Sequence, residues 1–176
     1  MQVIIEKKDM RVKTIMNVKL LNKAYYKSSI GLIEIVGTED KILSLDFIEE
    51  ASHYSPLTRG DTGGLQECIK QIDEYFKGIR KQFSLNVQIQ GTDFQKKVWQ
   101  ELIKIPFGKT VSYLDIATAI GNEKSVRAVG GAISKNKTAV IIPCHRVIGS
   151  NGTLTGFASG LWRKDWLLKH EKQHFS

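Results

Sequence analysis

The first half of the chain sets short runs of apolar residues between turn formers. Ala24-Tyr25-Tyr26, Gly31 to Val36 and Ile42 to Phe47 are apolar or β-branched, and Ser28-Ser29 and Thr38-Glu39-Asp40 separate them. Runs of this length, bounded by such residues, predict strands joined by tight turns. The period then changes. Leu65, Cys68, Ile69, Ile72 and Phe76 recur at helical spacing, so a helix with one buried face is expected. Gly78 is its expected stop. Cys68 lies on the apolar stripe and reads as core packing.

Phe83 to Thr92 reads as an extended connector between two halves. Asp93 is the expected cap of the next helix, which places Phe94, Val98, Leu102 and Ile105 on one face. Pro106-Phe107-Gly108 ends it. Two short helices are predicted next, Tyr113–Ile120 and Ser125–Lys135, with Gly121-Asn122 between them. Ala117 is small enough to let them cross closely. Helix, glycine turn, helix is the helix-turn-helix pattern, and a plain helical hairpin reads the same way. The second helix carries Arg127 and Lys135 around Val129-Gly130-Gly131-Ala132. Each glycine inside a helix costs about 1 kcal/mol relative to alanine. Close approach of the backbone to a large partner is one reason to accept that. Ala139-Val140-Ile141-Ile142 reads as a buried strand ending at Pro143, and a last helix, Arg163 to Lys172, returns Trp166, Leu167 and Glu171 to the core. The expected fold is an α/β domain over 1–90, a small antiparallel sheet plus helix. A mainly α domain with a winged-helix-like helix-turn-helix follows over 91–176.

Composition narrows the class. With 41% hydrophobic and 25% charged residues, the chain reads as a soluble globular protein. No run approaches the roughly 20 apolar residues of a membrane span, so no membrane partner is expected. Met1 to Lys8 lacks the apolar core of a signal peptide. Residues 1–15 show no pattern of their own, which leaves Met16 as an alternative start. Two cysteines do not make a secreted disulfide framework, so a reduced cytoplasmic protein is expected. The net charge is +8. Residues 1–90 hold 13 basic and 12 acidic side chains, against 13 and 6 in residues 91–176. The excess therefore lies in the second half, which suggests a polyanion partner.

The chemistry concentrates in Pro143-Cys144-His145-Arg146-Val147. A buried cysteine is most often packing. Here the thiol follows an apolar run and a proline, a histidine is its neighbour, and Glu171 can orient that histidine. Arg146, Lys135 and Lys137 make the surroundings cationic, which favours thiolate. Carboxylate, histidine and thiol in series form an activated nucleophile. Zinc fits poorly, because neither cysteine has paired ligand spacing.

These residues resemble the O6-alkylguanine-DNA alkyltransferases, or methylated-DNA–protein-cysteine methyltransferases. Pro143–Val147 carries the likeness together with Arg127–Ala132, Asn136, Phe107–Tyr113 and Trp166–Glu171. The resemblance is dense over 92–172 and loose before it. It implies repair by transfer of an alkyl group from O6-alkylguanine, or O4-alkylthymine, in double-stranded DNA to Cys144, once per molecule. It implies that His145, through a water, takes the thiol proton and that Glu171 orients His145. Tyr113 would donate to the departing guanine, and Asn136 would hold the turn before the active-site segment. Arg127 would fill the space of a flipped nucleotide, which must leave the stack to be reached. Ser112, Gly131, Ala132 and Lys135 would lie against DNA, with the helix-turn-helix in the minor groove. Val147 and the Phe157-Ala158-Ser159 loop would hold the base. Some members carry N-terminal zinc, but no such ligand cluster occurs here, so no metal and no cofactor are expected. A monomer without an obligate protein partner is expected, nucleoid-associated in a prokaryote and nuclear in a eukaryote. Three other readings stay open: a non-catalytic relative, a Cys-His hydrolase and a helix-turn-helix regulator. The first would lack the cysteine. The second needs an oxyanion hole and leaves the basic half unexplained. The third leaves Cys144, His145 and Glu171 unexplained.

Overall fold

A computed structural model describes residues 21–49 and 63–175, so Met1 to Lys8 and Met16 lie outside the described residues. The three apolar runs form strands β1 (Asn22–Ser28), β2 (Gly31–Gly37) and β3 (Ile42–Ile48), an antiparallel sheet in the order β1-β2-β3. Alternation sends Ile33 and Ile35 of β2 to one face, opposite Phe47 and Leu45 of β3. Helix α1 (Gly64–Phe76) covers that face with Leu65, Cys68, Ile72, Tyr75 and Phe76. It stops as predicted at Gly78, whose backbone takes φ +74°. The connector is extended, and Val87 bridges Ile42 of β3 in parallel. The buried Gln71 also anchors it, its amide binding the backbone of Ser84 from both sides.

Helix α2 (Asp93–Ile103) is capped by Thr92 rather than by Asp93. The Thr92 hydroxyl accepts from the Gln95 N–H, and the Gln95 side chain accepts from Thr92. This reciprocal pair satisfies two donors, which Asp93 within the helix could not do. Trp99, absent from the predicted face, is buried and donates its indole N–H to Ala132 O at 3.0 Å. Strand β4 (Val111–Ser112) pairs in parallel with β5 (Val147–Ile148). Helix α3 (Tyr113–Ala119) follows β4. Gly121 then turns the chain with φ +77°. A 3₁₀ turn (Glu123–Ser125) leads into helix α4 (Val126–Ile133), shorter at both ends than predicted. Helix α5 (Leu161–Gln173) closes the chain.

A further expectation fails. Ala139 to Ile142 is not a strand but a buried turn. Sheet-like pairing ends at the bridge of Thr138 with Leu45, and Val140 then takes φ +70°. It is the one non-glycine with positive φ among the described residues. A β-branched residue in that region costs roughly 1–3 kcal/mol. Full burial of Val140 and the bonds Ala139 N–H to Leu45 O and Ile142 N–H to Thr138 O hold it there. An apolar run signals burial, and burial alone does not fix the backbone. The turn carries the chain from one core to another. The first core joins the sheet and α1 to Phe107, Ala139, Val140 and Leu167. The second joins α2, α3 and α4 to Ile142, Cys144 and Val147.

Candidate active site

Cys144 opens a 3₁₀ turn, Cys144–Arg146, directly after the strained Val140 segment. Its position is fixed from both sides. The Cys144 N–H donates to Ile142 O at 2.8 Å. Asn136 Nδ2 donates to Ile142 O at 2.9 Å and to Cys144 Sγ at 3.2 Å. Asn136 thus ties the turn to the end of the Ile142 segment and also touches the sulfur. Burial pushes the Cys144 thiol up, while the Asn136 hydrogen bond and the Lys164 ammonium oppose that rise.

The expected source of positive charge is therefore corrected. Arg146 turns away from the sulfur. Its Nε and Nη2 bind Glu171 at 2.9 Å each, and its Nη1 donates to Ile105 O at 2.6 Å. The cation that acts on Cys144 is Lys164 of α5, fully buried, with Nζ donating to Thr155 O at 2.6 Å. Burial brings the Lys164 ammonium down to about 8. Nothing in the local sequence around Lys164 marks it, because only the fold brings it to the cysteine.

Glu171 is the hub of the predicted relay. His145 Nε2 lies 2.7 Å from Glu171 Oε1, and both side chains are completely buried. The same carboxylate accepts from Arg146, from the Tyr75 hydroxyl at 2.9 Å and from the Gly108 N–H at 2.9 Å. Burial alone raises a carboxyl, but the bonds from His145 and Arg146 outweigh it and hold Glu171 well below the ordinary carboxylate range. Burial also lowers His145, against the pull of Glu171. With Nε2–H given to Glu171, Nδ1 is the basic nitrogen. It is buried and has no hydrogen-bond partner among the described residues. A buried acceptor left free in this way is where a proton can be received.

A small cavity opens beside the sulfur. Asp46, Asn136, Phe157, Ala158 and Ser159 line it with Cys144, and its volume is about 10 Å³, the space of one water. The expected base-holding loop therefore does face the cysteine. Val147 is fully buried in the second core and is not part of this wall. Tyr113 begins α3 and donates its hydroxyl to Thr155 O at 3.0 Å, the carbonyl that Lys164 also binds. Ser112 caps α3 by accepting from the Asp115 N–H at 3.1 Å. On α4, Arg127 is exposed, Gly131 is exposed with no atom near the position of a Cβ, and Ala132 is buried. Lys135 is exposed just past the helix. Three site residues carry no signal in the sequence around Cys144: Lys164 and Asp46 beside the cysteine, and Tyr75 on Glu171.

Comparison with known proteins follows the same division. Residues 21–89 match the family model of the ribonuclease-like domain of 6-O-methylguanine DNA methyltransferase, and 93–173 match its DNA binding domain. A methylated-DNA–protein-cysteine methyltransferase of Methanosarcina barkeri is 43% identical over 150 residues, covering 84% of this chain and 95% of the relative. A constitutive enzyme of that name from Bacillus subtilis is 43% identical over 157 residues, with the same coverage. An O6-methylguanine methyltransferase of Mycobacterium tuberculosis has a crystal structure at TM-score 0.78 and 36% identity, covering 88% of this chain and 94% of that one. A structure of the mycobacterial protein in complex with DNA has the same TM-score, 38% identity, and covers 86% and 93%.

Proposed function

This chain belongs to the methylated-DNA–protein-cysteine methyltransferase family, and from that premise we propose that Cys144 is the residue that accepts the alkyl group. The protein repairs DNA by alkyl transfer to a cysteine, and DNA is its partner. The finer reading is O6-alkylguanine in duplex DNA as the substrate, with O4-alkylthymine also accepted. The protein works as a monomer in the cytoplasm, at the nucleoid or in the nucleus. No helix among the described residues is long and apolar enough to cross a membrane.

The observation that carries the assignment is the contrast between the two thiols. Cys68 is packed in the first core, where burial and then Glu67 push it up to about 12. Cys144 is held by Asn136, influenced by Lys164, and adjacent to a histidine whose buried Nδ1 has no hydrogen-bond partner among the described residues. Transfer then runs as a displacement. The thiol proton passes, by way of a water, to His145 Nδ1, and Glu171 keeps the ring oriented through Nε2. Sulfur attacks the alkyl carbon, the S–C bond forms, and the C–O6 bond breaks with its electron pair moving to the base. Tyr113 donates a hydrogen bond to the departing ring. The base takes up the proton that the thiol released, returned from His145 by way of water, so neutral guanine leaves and a thioether remains. Asn136 donates to the anionic sulfur on the way, and Lys164 lowers the cost of its charge.

Arg127 enters the stack in place of the flipped nucleotide. Gly131 and Lys135 line the DNA-facing side, while Ser112, by capping α3, and Ala132, packed in the second core, fix the helices behind it. Val147 supports the base pocket from the core, while Phe157, Ala158 and Ser159 form its wall. The division near residue 90 separates a buttressing unit from the unit that binds DNA. Incubation with O6-methylguanine duplex tests the assignment. One methyl per protein should be found, on the peptide holding Cys144, and Cys144→Ala should accept none. Multiple turnovers, or a methyl on Cys68, would refute it.

A further inference from the structure

The wall beside the sulfur holds one charged group, and it comes from the other half of the chain. Asp46 lies on β3 of the sheet, yet it lines the cavity with Cys144, Phe157, Ala158 and Ser159. Its Oδ1 is fixed by two donors, the Phe47 N–H at 2.9 Å and the Ser159 hydroxyl at 3.1 Å. Its other oxygen has no hydrogen-bond partner, and no lysine or arginine forms an ion pair with it, among the described residues. Lys164, the cation that acts on the cysteine, is bound to Thr155 O and is not part of the wall. The alkyl-transfer mechanism makes no use of a carboxylate here. On the contrary, the Asp46 charge opposes ionisation of Cys144. A fixed, uncompensated carboxylate is therefore kept at the point where the O6 substituent must reach the sulfur.

We propose that Asp46 is a specificity-determining residue that selects against O6 adducts carrying a negative charge while admitting neutral adducts of the same shape. The inference rests on Cys144 being the alkyl acceptor. The cavity is so small that any group bonded to O6 and touching the sulfur lies close to this carboxylate. Like charges held near each other at a half-buried site repel, with only partial screening, and placing such a repulsion against the wrong ligand is a direct route to discrimination. An anionic substituent meets this repulsion, whereas a neutral one does not, and a neutral amide can also donate to the free oxygen of Asp46. The link from Asp46 to Ser159 also makes the sheet a fixed reference for the loop.

The test uses the full chain and duplex DNA with three adducts: O6-methylguanine, O6-carbamoylmethylguanine and O6-carboxymethylguanine. The last two are nearly isosteric and differ by one charge. Transfer rates are measured for the wild type and for Asp46→Asn, which keeps an acceptor for Phe47 and Ser159 and removes the charge. The quantity read is the carbamoylmethyl-to-carboxymethyl rate ratio, so that differences in intrinsic reactivity cancel between the two proteins. The ratio should fall about tenfold in Asp46→Asn, the scale expected of one partly screened charge pair. A fall of less than threefold overturns the proposal. The methyl arm keeps the two readings apart. If wild type moves no methyl to Cys144, the alkyl-acceptor assignment fails and this inference goes with it. If methyl transfer proceeds and the ratio stays flat, the Asp46 role alone is wrong.

Discussion

At the scale of single residues, Glu171 does two things that one substitution cannot separate. It orients His145, and it neutralises Arg146 in a site with no exposure of the carboxylate. Glu171→Gln should therefore slow transfer by about 10²–10⁴, the usual worth of general-base assistance. It should also destabilise the fold by roughly 3–5 kcal/mol, because Arg146 is left buried without its anion. A second substitution separates the effects. Adding Arg146→Leu removes the orphaned charge, so the double variant should regain most of the lost melting temperature while transfer stays slow. A double variant that reacts at the normal rate would show that Glu171 acts only through stability. The meeting of His145 with Glu171 beside Cys144 was legible in the sequence, because their types form a known chemical series and two of them are adjacent. Arg146 was legible as a charge but not in direction. Tyr75, Lys164 and Asp46 were not legible as site residues, since each reaches the site through tertiary packing that leaves no local pattern.

At the scale of elements, α4 is short and carries two consecutive glycines, Gly130 and Gly131, with Arg127 near its start. The two glycines differ in surroundings. A Cβ at Gly130 would touch the Tyr113 ring at 3.8 Å, whereas one at Gly131 would meet nothing within 4 Å. The fold thus gives no reason for glycine at 131, and Gly131→Ala should stabilise the free protein by about 1 kcal/mol. If the surface is reserved for DNA, the added methyl should slow repair in duplex DNA. Reaction with free O6-alkylguanine base should be nearly unchanged. Arg127→Ala in the same pair of assays should show the same selective loss through a different cause, an unfilled gap in the stack. Equal losses on both substrates would remove α4 from base flipping. The helices themselves were read well, because 3.6-residue periodicity and glycine stops are local signals. The cap of α2 was misplaced by one residue, because Thr92 and Asp93 both have capping side chains and only the geometry of Gln95 decides. The strand expected at 139–142 failed for a related reason: its apolar run demanded burial, and a buried turn meets that demand as well as a strand does.

At the scale of the whole molecule, charge and packing divide differently. Packing unites the halves, since Leu167, Phe107 and Val140 complete the first core and Tyr75 reaches Glu171. Charge is uneven between them. In the first unit Lys23, Lys77 and Arg80 are paired with Glu34, Asp73 and Glu74, while Lys27 and Lys70 are exposed without an ion pair among the described residues. In the second, Lys104 and Lys169 are paired with Glu101 and Asp165, while Lys124, Arg127, Lys135 and Lys137 are exposed and form no ion pairs among the described residues. Unpaired surface cations are the ones that can replace the counterions of a phosphate backbone. Each phosphate neutralised contributes about −0.9 to the slope of log K against log salt for duplex DNA. Binding of unmodified duplex should therefore weaken steeply with salt, and Lys135→Gln should make that slope shallower by about one. Lys23→Gln should leave the slope alone, because its charge is already engaged with Glu34 on the sheet. Titration of fluorescent duplex at several salt concentrations measures all three. A slope that responds to Lys23 and not to Lys135 would place the DNA on the sheet, and a flat slope would remove phosphate contact as the source of affinity. The basic excess seen in the second half of the sequence was thus a guide to the partner. The pairing pattern adds which of those charges are available to meet it.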